Sequence, residues 1–483
     1  MSINIGFAKK DTYIELVKNV YELDFKYNGE VVERTLKEFD KVTINKFGVF
    51  IEYPYVDKYY RDTYYNYLST KHQDYLRNSI RISFFKNEIN NENFRKKEYI
   101  ENLQKEFLGF LTLRPSSDHL ISRSVISPKL LKYYEFKCCQ ATFNVEINGV
   151  KFEIKGFPFC SQDGEVLSCA ETTILTLLEY YGTKYPEYKP VLPSNIISKL
   201  SQRAYERQLP TSGLNTEDIS FVLKEYGFGT KVYYKKHYSK TFRQIFNIYV
   251  DSGIPFIATL ENDKIGHAIL IIGRENHFND SFDNKIRGLL FPPVDFSEGI
   301  NKYVVMDDNR IPYRLVPFEN PTFDYGDKNF KGCNIESIVV PLYSKVYVDA
   351  EIAIKRFSFI LNQKQFIEAN NCYLIKIFLA TSRSFKGDIC LNEHLDKDVK
   401  EVIINKHMPK FIWISELYNK GDFQKNKPSG LIIVDATEPN VEKNNILFVA
   451  YDNYYVTWNA EVKTFKKSIV DLTNLHTFDH NLQ

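Results

Sequence analysis

Two hydrophobic periods alternate along this chain. "KVTINKFGVFIEY" (41–53) and "FLGFLTLRP" (107–115, ending at Pro115) read as strands, and "NENFRKKEYIENLQKEF" (91–107) carries a narrow apolar stripe at helical spacing, the mark of a surface helix. "ATFNVEINGVKFEIKG" (141–156) alternates on both sides of Asn148-Gly149, which predicts a hairpin closed by a type I′ turn. The middle of the chain predicts a helix over 169–181 and more polar helices near 194–208 and 215–226. Apolar strand runs follow in "PFIATL" (255–260), "HAILIIG" (267–273) and "YVVMD" (303–307). Helices first and antiparallel-looking strands afterwards predict an α+β unit. Beyond it, "VDAEIAIKRFSFILN" (348–362) reads as helix. "CYLIKIFLA" (372–380), "PKFIWISEL" (409–417), "GLIIVDA" (430–436) and "NILFVAYD" (445–452) read as strands. With no internal repeat or low-complexity linker, the pattern divides the chain into a mixed α/β region over 1–155, an α+β unit over 156–345 and a second α/β region over 346–483.

Composition narrows the functional classes. A net charge of +2 argues against nucleic acid or an anionic membrane as the main partner. The apolar runs fall far short of the ~18 residues that cross a bilayer, and the first residues lack the basic-then-apolar order of a signal peptide, so the expected location is the cytoplasm. Seven cysteines, at 138, 139, 160, 169, 333, 372 and 390, are odd in number and show no CxxC pair. That predicts free thiols in a reducing compartment, with neither a disulfide framework nor a metal site. No cofactor motif is present. The 34 Tyr and 37 Phe, against 2 Trp and 3 Met, read as aromatic filling of the core.

One stretch points to chemistry. In "FCSQDGEVLSCAETTILTLLEYYG" (159–182) a polar loop delivers Cys169 to the first turn of an apolar helix. Ser168 and Glu171 form a capping-box pattern, Ile174, Leu175, Leu178 and Tyr181 supply an apolar stripe, and Gly182 is the expected C′ stop. Cys169 then stands at N1, where the helix dipole favours thiolate over thiol; Cys160 has no such placement and reads as a small hydrophobe. His267 follows Gly266 at the mouth of a strongly apolar strand. Asp307 and Asp308 close the next one, and only one of two neighbours on a strand can face the histidine. Asp307 is the expected orienting carboxylate, with Asp308 capping the following turn. Gln162 lies in the loop before the helix, where a side-chain amide can donate to an oxyanion. "GFLTLRPSSDHLISRSVISP" (109–128) is motif-like; its Arg114 and Arg123 read as structural salt-bridge partners, with carboxylate or phosphate binding as the alternative.

In the order Gln162, Cys169, His267, Asp307, and above all in "GHAILIIG", the sequence resembles the papain-like cysteine peptidases over about residues 156–315. The nearest branch is that of the bacterial peptidases that process double-glycine leader peptides. The chain departs from the family in having no Gly after Cys169, no flanking Trp, and Asp307-Asp308 in place of Asp-Pro. The resemblance implies a papain-like α+β core with N-terminal and C-terminal α/β extensions. It also implies a thiol peptidase with Cys169 as nucleophile, His267 as base, Asp307 as orienter and Gln162 as oxyanion donor. The partner implied is a protein or peptide substrate, with the flanking regions available to a further protein. The same Cys-His-Asp order serves acyl transfer and deamidation in transglutaminase-like proteins. A papain-like fold without turnover would serve as a binding module.

Overall fold

The alternating stretches pair into three seven-stranded sheets in the computed structural model. It describes residues 6–483 apart from 91, 93, 205–207, 211–212, 277–281, 283–292, 364–365, 367–371, 420, 441–444 and 460–463. The first sheet is antiparallel. Its strands β1 (Phe7–Lys9), β2 (Gly48–Tyr55), β3 (Ser79–Phe85), β4 (Phe107–Leu113), β5 (Ser124–Ile126), β7 (Ala141–Ile147) and β8 (Val150–Phe159) run in the order β1-β2-β3-β4-β5-β8-β7. The strand β6 (Phe136–Cys138) leaves it for the second sheet. At the β7–β8 turn Asn148 and Gly149 both take positive φ, 47° and 83°, as a type I′ turn requires. The strand expected over 41–53 begins only at Gly48: residues 41 and 42 close the helix α2 (Gly29–Val42), and 43–47 connect it to the strand. Asn28 caps α2, and Val32, Leu36 and Phe39 are its buried stripe. The helix α1 (Tyr13–Leu23) packs on α2. The helices α3 (Lys58–Asn66) and α4 (Lys97–Glu106) complete this part.

The second sheet has the order β14-β13-β11-β10-β15-β9, with β6 paired to β11. Its strands are β9 (Phe228–Tyr234), β10 (Phe256–Glu261), β11 (Gly266–Glu275), β13 (Lys302–Met306), β14 (Arg314–Pro317) and β15 (Asn334–Tyr343). The helices α5 (Cys169–Lys184), α6 (Pro193–Ser201), α7 (Thr216–Glu225) and α8 (Lys235–Asp251) belong with it, and α5 packs on β11. The expected helix over 194–208 ends at Ser201, and residues 205–207 lie outside the described residues. The third sheet joins the short β12 (Val294–Asp295), parallel, to the antiparallel series β16 (Cys372–Thr381), β17 (Phe411–Asn419), β18 (Gly430–Asp435), β19 (Ile446–Tyr451), β20 (Tyr454–Asn459) and β21 (Thr464–Ile469). The helices α9 (Ala350–Leu361), α10 (Ser382–Leu391) and α11 (Lys397–Asn405) accompany it. The last residues return to the second sheet, where Gln483 and Cys138 exchange backbone hydrogen bonds of 3.0 Å. One apolar core runs from Ala8 to Leu482 through all three sheets, and a smaller one lies under α10 and α11. Among the described residues no helix is long and apolar enough to cross a membrane.

The helix α5 differs from its expected form in two respects. It is buried on all sides from Ala170 to Tyr181, not along one stripe. Its threonines are satisfied within the helix, since Thr172, Thr173 and Thr176 donate to carbonyls one turn back. It also continues past Gly182 to Lys184, so this glycine is not the C′ stop. A Cβ there would stand 2.3 Å from the Pro190 nitrogen, so Gly182 admits the returning chain against the last turn.

Candidate active site

Cys169 is the first residue of α5. The Glu171 carboxylate accepts from the Ser168 N–H at 3.2 Å and from the Ser168 hydroxyl, so the Glu171 half of the capping box is formed. This fixes where the helix begins and therefore where the thiol points. Cys169 is half-buried, Cys390 is exposed, and the other five cysteines are buried; all seven are free. Burial pushes the Cys160 thiol up to about 12, as befits an inert core residue.

Sheet register brings the histidine to the carboxylates. Leu270 pairs with Met306 and Ile271 with Val305, so His267 lies on the same face as Asp307 and diagonal to it. His267 Nε2 is 3.1 Å from Asp307 Oδ1, and both side chains are buried. The Cys169 side chain lies close enough to the imidazole to raise its pKa. With Nε2 turned to Asp307, Nδ1 is the nitrogen left for the thiol. Burial alone would lower the His267 pKa; the charge and hydrogen bond of Asp307, then Cys169 and Asp308, overcome it and raise the imidazole well above its usual value. Asp307 shows the reverse balance. Burial opposes its ionisation, but His267, then Arg314 and Tyr325, bring its carboxyl down to about 2.

Two residues absent from the sequence reading complete this carboxylate's surroundings. Arg314 Nη1 donates to Asp307 Oδ2 at 2.7 Å, and the Tyr325 hydroxyl meets the two oxygens at 2.8 and 2.7 Å. The signal for Arg314 lies in the β13–β14 hairpin: Arg314 pairs with Val305, two residues before Asp307 on the same face. Tyr325 comes from a long loop without periodic pattern. Its ring packs on Phe330, itself edge-on to His267 at 5.4 Å, and the Arg310 guanidinium stands 4.1 Å from its centroid.

The turn after β13 corrects the role expected of Asp308. The Arg310 N–H donates to the Asp307 carbonyl at 3.0 Å, making a β-turn with Asp308 and Asn309 at its centre. The carboxylate that accepts within this turn is Asp307, from the Asn309 N–H at 3.2 Å. Asp308 caps nothing. It is 3 % exposed, its Oδ1 is 3.8 Å from His267 Nε2, and neither carboxyl oxygen has a hydrogen bond of ordinary geometry. Burial pushes its carboxyl up to about 7; the imidazole and the N–H groups of Asp308 and Gln162 oppose this rise and Asp307 adds to it.

Gln162 sits beside the same turn. Its Nε2 donates to Asn309 Oδ1 at 2.6 Å, so the amide is oriented by the turn and keeps a second N–H. Arg114 holds the loop from behind through hydrogen bonds to the Ser161 and Gln162 carbonyls, not through the salt bridge expected of it. Arg123 does form one, from Nη2 to Glu179 of α5 at 2.7 Å.

His267, Asp307 and Asp308 offer ligand atoms within 4.8 Å of one another, close enough to share a cation. The donor set does not favour one. The Asp307 oxygens already accept from Tyr325, Arg314 and Asn309, and the guanidinium beside them opposes a second positive charge. The arrangement is instead that of a thiol, an imidazole and an orienting carboxylate. No protein-family model matches this chain, and no curated protein matches it.

Proposed function

We propose that the protein is a cysteine-dependent hydrolase, a peptidase of papain-like type working through Cys169, His267 and Asp307. The observation that carries this reading is the buried imidazole, bound to Asp307 through Nε2 and beside Cys169 at a helix start. In the first half-reaction the Cys169 proton passes to His267 and the sulfur attacks the substrate carbonyl carbon. The C–N bond then breaks, and the imidazolium gives its proton to the departing amine. In the second half-reaction His267 takes a proton from water, the hydroxide attacks the thioester, and the acid leaves as the proton returns to sulfur. Asp307 accepts from Nε2–H throughout and keeps the ring in one tautomer. Arg314 and Tyr325 hold that carboxylate ionised. Gln162 supplies an amide N–H to the oxyanion. The helix on an antiparallel sheet, with His267 and Asp307 on adjacent strands, supports a papain-like core; the parts over 1–155 and 346–483 are its extensions.

The test is labelling by an electrophilic thiol probe, read by peptide mapping, together with cleavage of a peptide library. Cys169→Ala and His267→Ala are expected to abolish cleavage while Cys160→Ala retains it. Equal behaviour of Cys169→Ala and Cys160→Ala would overturn the assignment.

A further inference from the structure

One arginine of the first region has more hydrogen-bonding capacity than the protein uses. Arg114 follows β4 and is 3 % exposed. Its Nε and Nη2 donate only to carbonyls, those of His119, Ser161 and Gln162. Among the described residues Nη1 has no partner, and it is not sealed from solvent. Asp57, a buried carboxylate whose charge reaches this guanidinium, spends Oδ2 on the Ser122 hydroxyl and the Tyr60 N–H. A guanidinium taken from water and met by carbonyls alone leaves part of its desolvation cost unmet. Arg114 lines a cavity of about 180 Å³, enclosed by the turn after β4, by Tyr27 and Tyr60, and by the loop after β8. Pockets for drug-sized molecules hold ~300–1,000 Å³, so the occupant of this one is small.

The charges on the cavity wall decide what kind of molecule it takes. Glu165 is already neutralised by Lys71, and it accepts from the Tyr75 hydroxyl at 3.1 Å. Asp163 is not neutralised. Its Oδ1 accepts from the N–H groups of Glu165, Val166 and Leu167, and among the described residues Oδ2 has no partner and no cation pairs with the carboxylate. A simple anion drawn to Arg114 is repelled by Asp163, and a simple cation drawn to Asp163 is repelled by Arg114. A molecule with a carboxylate and an ammonium on one carbon answers both. We propose that this cavity binds a free α-amino acid with an apolar side chain. Its carboxylate accepts from Arg114 Nη1, its ammonium donates to Asp163 Oδ2, and its side chain lies against Tyr27, Tyr60 and Leu68. Arg114 holds the Gln162 carbonyl with the same guanidinium, so the occupant links the first region to the loop before α5. The site is separate from Cys169 and His267, and the inference stands whether or not Cys169 is a nucleophile.

The experiment is titration calorimetry of the full chain with L-leucine and L-phenylalanine, and with leucinamide, N-acetyl-leucine, acetate and inorganic phosphate as comparisons. Saturable binding of leucine or phenylalanine at one site per chain is expected. Leucinamide, which lacks the carboxylate, and N-acetyl-leucine, which lacks the ammonium, are each expected to bind at least about tenfold more weakly than leucine, the effect of one lost charge-assisted hydrogen bond. Asp163→Asn keeps an Oδ1 acceptor for the three N–H groups and removes the charge, so it is expected to weaken whichever amino acid binds by about tenfold or more while the melting temperature stays near native. If that variant does not fold, Ser117→Trp makes the test, because it places an indole at the exposed rim of the cavity and is expected to abolish binding. Absence of saturable binding by both amino acids up to about 10 mM overturns the proposal. So does acetate or phosphate binding as tightly as leucine, which would make this a plain anion site, and so does amino-acid binding that the folded variant leaves unchanged, which would place it elsewhere.

Discussion

The helix that carries Cys169 is seated by a buried ionic hub, and breaking the hub tests how the first sheet supports the site. Glu179, 1 % exposed on α5, accepts from Lys58 Nζ at 3.1 and 2.8 Å, the Tyr59 hydroxyl at 2.6 Å and Arg123 Nε at 2.9 Å. Three donors from two segments of the first region thus converge on one carboxylate. Glu179→Gln keeps the shape and removes the charge. Arg123 has an 18 % exposed side chain and stays buried without a counter-charge, whereas Lys58, at 41 %, can turn to water. Removing one partner of a buried pair costs about 3–5 kcal/mol. Because one cation escapes, the expected loss for Glu179→Gln is about 3 kcal/mol, and for Glu179→Ala, which also leaves a void, about 5. At about 2–4 °C per kcal/mol for a unit of 150–250 residues, the melting temperature falls by several degrees. Lys410→Ala, which breaks the exposed pair with Glu187, is the control and costs below about 1 kcal/mol. The sign with pH follows from the direction of the shift. Burial would raise the Glu179 pKa, but Arg123 and Lys58 bring it below its ordinary 4.5. Its stabilising contribution is therefore present above 4.5 and is lost as pH falls through the lowered value, so the gap between variant and wild type closes in acid. Thermal unfolding from pH 3 to 7 reads all of this. Glu179→Gln melting with Lys410→Ala at neutral pH would refute the reasoning.

Asp307→Asn is expected to lower kcat by roughly 10²-fold or more on a chromogenic acyl ester, by presenting an amide where the Nε2–H needs an acceptor. Asp307→Ala should in addition lose about 2–3 kcal/mol in thermal unfolding, since it strands Arg314 and Tyr325; a native melting temperature for Asp307→Ala would contradict the geometry. Gln162→Ala should reduce kcat on the same ester by about 10²-fold with less change in KM. Asn309→Ala, which frees the Gln162 amide from its partner, should give a smaller loss in the same direction; a change confined to KM would make Gln162 a substrate-binding residue.

What the sequence disclosed and what it withheld separate along one physical line. Signals contained within a few residues of chain were legible. These include Asn148-Gly149 with its two positive φ values, the Ser168–Glu171 start of α5, and the strand ends that carry His267 and Asp307. Signals that need a second segment to acquire meaning were not. Gly182 looks like a helix stop until the chain around Pro190 is seen to lie against it. The polar positions of α5 look solvent-facing until Lys58, Tyr59 and Arg123 are brought to Glu179. The strand β15 carries Pro341, which speaks against a central ladder position until the β10 ladder is seen to end at Val339, leaving Pro341 paired with the edge strand β9 alone. The two aspartates show the same limit most sharply. Alternation along a strand selects Asp307 for His267, and the register of β11 against β13 places it there. The same rule sends Asp308 to the opposite face, but it holds only while the strand continues. The strand β13 ends at Met306, and the chain turns at once, closed by the Asp307 carbonyl and the Arg310 N–H. The turn folds the second carboxyl inward, where its Oδ1 stands 3.8 Å from the same His267 Nε2 that Asp307 holds. An Asp-Asp pair at a strand end therefore delivers one carboxylate by strand geometry and the other by turn geometry, and the second is the one left without a partner.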